Sequence, residues 1–144
     1  MKPYKHKVAY YETDRMGITH HSNYIRWMEE ARVEFLAQAG FGYEQMEEQG
    51  VISPVLSANC NYKRSTTFGD TVSIVVYVKE MSPAKIRMGY KMYNAKTGEL
   101  CTTGETSHCF IASNGRPIRI KRDMPEFFGK MTELAAEYEE ENKK

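Results

Sequence analysis

No stretch of this sequence approaches the run of roughly 20 apolar residues that a bilayer-spanning helix needs, and its mean hydropathy is −0.62. Charge of one sign is also missing. Twenty Lys and Arg stand against nineteen Asp and Glu, for a net charge of +1. That balance removes the broad basic face by which a protein holds nucleic acid or a membrane surface, so neither partner is expected. Cysteine is scarce. Cys60, Cys101 and Cys109 are odd in number and show no C-x-x-C spacing. A disulfide framework is thereby excluded, and a reduced, cytoplasmic protein is expected. The basic segment Met1–Lys7 lacks the apolar stretch of a signal peptide. Of the four histidines, His20 and His21 are adjacent and cannot share a helix face, which argues against a metal site. Internal repeats and Pro- or Ser-rich linkers are absent as well, so the 144 residues are expected to form one domain, 1–144. So short a chain has no second lobe to close over a substrate. A large pocket must lie on its surface or between copies of it.

What is present is enough for a core: 41% of residues are hydrophobic and 27% charged. Residues 4–11 read as a short strand, and Glu12 to Thr19 as a loop broken by Gly17. From Ser22 to Ala39 the period becomes helical, with Tyr24, Met28, Ala31, Phe35 and Ala39 on one face. Arg26, Glu29, Glu30 and Arg32 fall largely on the others. Gly40 and Gly42 supply the stop signal. A short helical turn is expected over Tyr43–Gln49.

Strands follow. Leu56, Ala58, Cys60 and Tyr62 alternate with polar residues, as do Val72 to Val78 and Ile86 to Met92. Period-two alternation marks half-buried antiparallel strands. Asn94–Gly98 reads as a hairpin turn, and a long strand is expected from Glu99 to about Ala112. A last short strand is expected over Ile118–Lys121. Asp123 is the expected N-cap of a C-terminal helix carrying Phe127, Phe128, Met131, Leu134, Ala135 and Tyr138. Its tail, residues 139–144, is expected to fray. The fold class is therefore α+β, with the long helix laid across one face of a curved antiparallel sheet.

The chemistry gathers in one segment. Asp14 lies in the loop before the long helix, and His20-His21-Ser22-Asn23 mark where that helix begins. A helix N-terminus has unpaired N–H groups and the positive end of a dipole, suited to polarising a carbonyl oxygen. A carboxylate just upstream can face the same carbon as nucleophile or general base.

The stretch Tyr11-Glu12-Thr13-Asp14-Arg15-Met16-Gly17-Ile18-Thr19-His20-His21-Ser22-Asn23-Tyr24 resembles the signature of 4-hydroxybenzoyl-CoA thioesterase-like hotdog proteins. The pattern is a tyrosine-rich strand, then T-D-x-x-G, then H-x-N-Y opening a helix. Tyr62-Lys63-Arg64-Ser65 followed by Phe68-Gly69-Asp70 resembles the family's second landmark. The resemblance spans roughly residues 4–125. It implies the hotdog fold, in which a sheet of about five strands wraps a long central helix; here a C-terminal helix is added. It implies homodimers joined sheet edge to sheet edge, often paired again into tetramers. It implies hydrolysis of an acyl-CoA substrate at the dimer interface, with no metal and no cofactor.

By position, the resemblance makes Asp14 the catalytic carboxylate. It gives the His21 backbone N–H to the thioester oxygen. Gly17 would let the loop approach the substrate, and Asn23 and Tyr24 would fix the helix start and line the acyl pocket. Lys63 and Arg64 would lie near the thiol end. Lys85, Arg87, Arg119 and Lys121 are the candidates for the phosphates of coenzyme A. Arg15 and Met16 depart from the small residues of many members, so either the pocket mouth is reshaped or these side chains face solvent. Two other readings are a hotdog enoyl-CoA hydratase or dehydratase, pairing Asp14 with His20 or His21, and a non-catalytic acyl-CoA-binding module. Glu29 and Glu30 are expected at the surface, and Cys60 and Cys109 as inert packing.

Overall fold

The computed structural model describes residues 1–143. Strand β1, Tyr4–Lys7, leads through a 3-10 turn at Tyr10–Glu12 to helix α1, Ser22–Gln38. Helix α2, Tyr43–Glu48, follows. Then come β2 (Val51–Ile52), β3 (Val55–Tyr62), β4 (Thr71–Met81), β5 (Lys85–Asn94), β6 (Leu100–Cys109) and β7 (Ile111–Ala112). Helices α3, Ile120–Asp123, and α4, Pro125–Asn142, complete the order. Five strands make one antiparallel sheet in the order β1-β4-β5-β6-β3, and β2 pairs with β7. No helix among the described residues is long and apolar enough to cross a membrane.

Alternation along β4 and β5 sends Val72, Ile74, Val78, Ile86, Met88, Tyr90 and Met92 to an inner face, all buried. Helix α1 lies on that face through Tyr24, Trp27, Met28, Ala31, Phe35 and Leu36. This is the wrapped-helix arrangement the resemblance implied. The helix comes close because β6 carries Gly104 beneath it. A Cβ there would stand 2.6 Å from the Met28 sulfur and 3.0 Å from the Asn59 carbonyl oxygen. On the outer face the Tyr77 ring lies flat across Gly89, where a Cβ would collide with it. Tyr138 of α4 stacks on Tyr77 with ring centroids 3.8 Å apart. The start of α4 meets the opposite end of the core, where Phe127 packs edge-on against Phe41 and Phe110.

Several local expectations are corrected. The first strand stops at Lys7 rather than residue 11, because the chain turns at Tyr10–Glu12. The last long strand ends at Cys109, and Ile111–Ala112 leave the main sheet to pair with β2. Residues 120–123 form a helical turn, not a strand. Asp123 closes that turn by accepting the Arg119 N–H at 2.9 Å, while Pro125 is the first residue of α4. The tail is helical through Asn142, and Lys144 lies outside the described residues. Arg32 is buried, because its guanidinium reaches inward and donates to the Tyr90 hydroxyl at 3.1 Å. That hydroxyl bonds to Thr106 Oγ1 at 2.7 Å, which also bonds to His108. Strand β3 alternates in sequence, yet only Cys60 is even half-buried. It is an edge strand, with Val55, Leu56 and Tyr62 about half exposed.

Candidate active site

The loop between the 3-10 turn and α1 is a closed structure. Thr13 bridges Thr19, the Asp14 N–H donates to the Ile18 carbonyl, and the Gly17 N–H donates to the Asp14 carbonyl. Gly17 has φ +80°, a left-handed conformation that glycine adopts without strain. Its place is therefore explained by the turn. Its carbonyl accepts the Thr67 hydroxyl at 2.7 Å, and the residue does not line the cleft.

Asp14 is half-buried. Its Oδ1 accepts the Met16 N–H at 2.8 Å, which orients the carboxylate and leaves Oδ2 without a partner among the described residues. The next turn begins α1. The Ser22 N–H donates to His20 Nδ1 at 3.2 Å, so the His20 ring caps the helix. The His21 ring stacks on it, 4.3 Å between centroids. The His21 backbone N–H donates to no group among the described residues. It is an orphan donor at a helix N-terminus.

Both residues line one cleft of about 290 Å³. Tyr24 and Tyr62 line its apolar wall; Lys63, Arg64 and Ser65 line its mouth. Tyr24 is buried, its hydroxyl bonding to Thr66 Oγ1 at 3.0 Å. Thr66 in turn bonds to the Thr19 hydroxyl at 2.6 Å and accepts the Thr19 N–H at 2.8 Å. These bonds join the two sequence landmarks: the segment after β3 is tied to the Asp14 loop. Sequence reasoning passed over Thr66. Its only signal was a threonine between two motifs that had to meet. Met16 is 76% exposed at the cleft rim, and Arg15 is exposed, so these two large residues leave the interior of the pocket free.

Asn23 is buried but does not line the cleft. Its side-chain amide donates to the Glu12 and His20 carbonyls at 2.9 and 3.2 Å, fixing the helix start. Arg64 pairs with Glu99 at 2.6 Å, whereas Lys63 has no acidic partner among the described residues. A second cleft of about 380 Å³ continues past Lys63, Arg64 and Ser65 toward Asn94 and Thr97. Lys85, Arg87, Arg119 and Lys121 are not brought to Asp14 within one chain. Lys85 pairs with Cys109, while the cleft lies by Tyr62 and its partner Thr102. Seven residues of strand separate them, roughly 23 Å. Lys121 stands at the same far end, its N–H on the Pro83 carbonyl. Glu30 is engaged elsewhere, accepting from the Tyr4 hydroxyl at 3.0 Å.

Comparison with known proteins shows the family and the fold. Residues 8–134 match the Thioesterase-like superfamily. The chain belongs to that superfamily. It is 36% identical over 122 residues to the Bacillus subtilis protein named "Putative acyl-CoA thioesterase YneP", spanning 84% of this chain and 88% of that one. The crystal structure of the DHNA-CoA thioesterase from Staphylococcus aureus superimposes with a TM-score of 0.89 at 36% identity, covering 96% of this chain and 93% of that chain. A hypothetical protein from Thermus thermophilus, TT1821, gives 0.84 at 31% identity, covering 93% and 99%. The fold is thus that of the hotdog thioesterases, α+β, with the five-stranded sheet expected from the sequence.

Proposed function

We propose that this chain hydrolyses the thioester of an acyl-CoA, with Asp14 as the catalytic carboxylate and the His21 N–H as the oxyanion donor. The observation that carries the reading is that Asp14, with one carboxylate oxygen unpartnered among the described residues, and His21, with its backbone N–H likewise unpartnered, line one cleft. The thioester oxygen lies on the His21 N–H, where the helix dipole stabilises the negative charge that develops on it. Asp14 either attacks the carbonyl carbon or takes a proton from the water that does. In both routes the C–S bond breaks, a C–O bond forms, and the thiolate leaves to take up a proton. Tyr24 and Tyr62 bound the acyl side, and Lys63 and Arg64 meet the thiol side.

The active unit in this proposal is a homodimer joined along β3, able to pair again into a tetramer, in the cytoplasm. Two β3 edges meeting antiparallel about a two-fold axis set the Val55 end of one copy beside the Tyr62 end of the other. The same operation carries Lys85, Arg87, Arg119 and Lys121 of a second copy toward the cleft of the first. That is where the phosphates of coenzyme A need cations.

A panel of aliphatic and aromatic acyl-CoAs, read by thiol release, tests the reading. Asp14→Asn is expected to fold normally and to lower turnover at least ~100-fold, about 2.7 kcal/mol of transition-state stabilisation. A wild-type rate in that variant removes Asp14 from the mechanism. Hydration of crotonyl-CoA without thiol release would make the protein a hydratase instead. Single turnover in ¹⁸O-water separates the two routes, since only nucleophilic attack leaves the first product oxygen unlabelled.

A further inference from the structure

Two residues before Asp14 stands Glu12, a carboxylate only 5% exposed. Its side chain accepts three hydrogen bonds: from the Ala9 N–H at 2.8 Å, from His6 Nε2 at 2.7 Å and from the Trp27 indole N–H at 2.7 Å. Its backbone carbonyl accepts two more, from the His20 N–H at 2.8 Å and the Asn23 side-chain amide at 2.9 Å. One residue thus holds the end of β1, the turn that follows it, and α1 at two heights. The bond from His20 has a further consequence. It closes the neck of the segment that carries Asp14 at one end and presents the His21 N–H at the other.

We propose that Glu12 is the positioning residue of this site: its carboxylate, locked to Trp27 on α1, fixes the separation between the Asp14 carboxylate and the His21 N–H. This rests on the thioesterase reading for its catalytic meaning. The loop geometry stands by itself.

The chemistry of the position explains why a carboxylate is used. The indole and the Ala9 amide can only donate, and they approach different oxygens, Oε2 and Oε1. The group at position 12 must therefore accept at both ends. Glutamine has the same shape but only one acceptor. Turned either way, it sets an NH₂ against a buried donor and leaves that donor unsatisfied. Burial pushes the Glu12 carboxyl up, but the bonds from Ala9, His6 and Trp27 outweigh that and hold it below the usual carboxylate range.

The test is Glu12→Gln in the full chain, with thermal melting to show that it folds. Two readouts are expected to move together. Turnover of the best acyl-CoA falls at least ~10-fold with KM within about threefold, because binding of the coenzyme portion does not depend on the loop neck. Amide exchange over residues 13–21 rises at least ~10-fold, while exchange over β5 stays at the wild-type rate. A folded Glu12→Gln with unchanged turnover and unchanged loop exchange overturns the proposal. So does exchange that rises equally in β5, which would make the residue a general stabiliser. Should Glu12→Gln not fold, Trp27→Phe breaks the same link from the helix side, and the same readouts decide. If the wild-type chain releases thiol from no acyl-CoA, the thioesterase reading fails, and loop exchange alone judges the geometry.

Discussion

The two edges of the main sheet are finished differently. At the β1 edge, polar side chains close the gap to α1. His6 bonds to Glu12 and stands 3.5 Å from Glu30, the Tyr4 hydroxyl donates to Glu30, and the Lys2 N–H donates to Gln38. At the β3 edge, among the described residues, the strand reaches the helix start only through one long hydrogen bond, from the Tyr62 hydroxyl to the His21 carbonyl. Val55, Leu56 and Tyr62 lie open on the strand, and Ile25 and Val33 lie open on the helix. One flank is complete within the chain. The other presents unpaired strand backbone and apolar side chains, the condition that natural proteins resolve by covering the edge. The candidate site sits at the tip of the open flank.

Acid should separate the two edges first. His108, which pairs with Val55 at the open edge, is held near a pKa of about 4 by burial and by the nearby charge of Arg32. The unfolded chain therefore binds a proton that the folded one refuses between pH 6.5 and 4. Stability is full above about 6.5 and falls as the pH drops through that window, by at most about 3 kcal/mol. Glu12, at the closed edge, has a lowered pKa, and its contribution is lost only at more acid pH. Exchange at pH 5 is expected to loosen β3 and β6 before β1. Equal loosening of all three would break the comparison.

Assembly should follow the open edge. Val55→Lys with Leu56→Lys is expected to leave the fold intact and to weaken self-association at least ~100-fold, about 2.7 kcal/mol, by sedimentation. Turnover should fall in step. A double variant that still dimerises at wild-type concentration would move the interface elsewhere.

The closed edge has its own test. His6→Ala removes a bond to a buried carboxylate and should cost about 1–2 kcal/mol in denaturant unfolding, without changing self-association. The smallest effect is expected at Tyr62. Its hydroxyl donates to the His21 carbonyl at only 3.4 Å, so Tyr62→Phe should alter turnover by less than about threefold. A larger loss would give the hydroxyl a place in the chemistry.

These edges also mark how far the amino-acid order could be read. β4 and β5 were legible because each has one face under α1 and one outside, and alternation reports faces. Alternation says nothing of neighbours, so β3 read as half-buried although it has none on one side. Helical period set Arg32 largely off the apolar face, but its long side chain reaches a tyrosine hydroxyl that lies 58 positions away in the chain. Asp14 and His21 could be named as candidates because local order alone puts them at a helix start. Glu12 was missed because its partners Ala9, His6 and Trp27 come together only once the turn at Tyr10 has formed. Asp123 was assigned to the wrong helix, since a cap and the close of a short turn use the same residue types.

Gly104 lies outside the cleft, two residues along β6 from Thr102, and it governs the height at which α1 rides. A methyl group there would act as a shim beneath Met28. Where the Met28 side chain does not give way, the helix must lift, and the loop that Glu12 ties to it follows, shifting both against Tyr62 and Lys63 across the cleft. Substitutions at this buried glycine are thus a means of tuning the jaw of the site without touching anything that lines it.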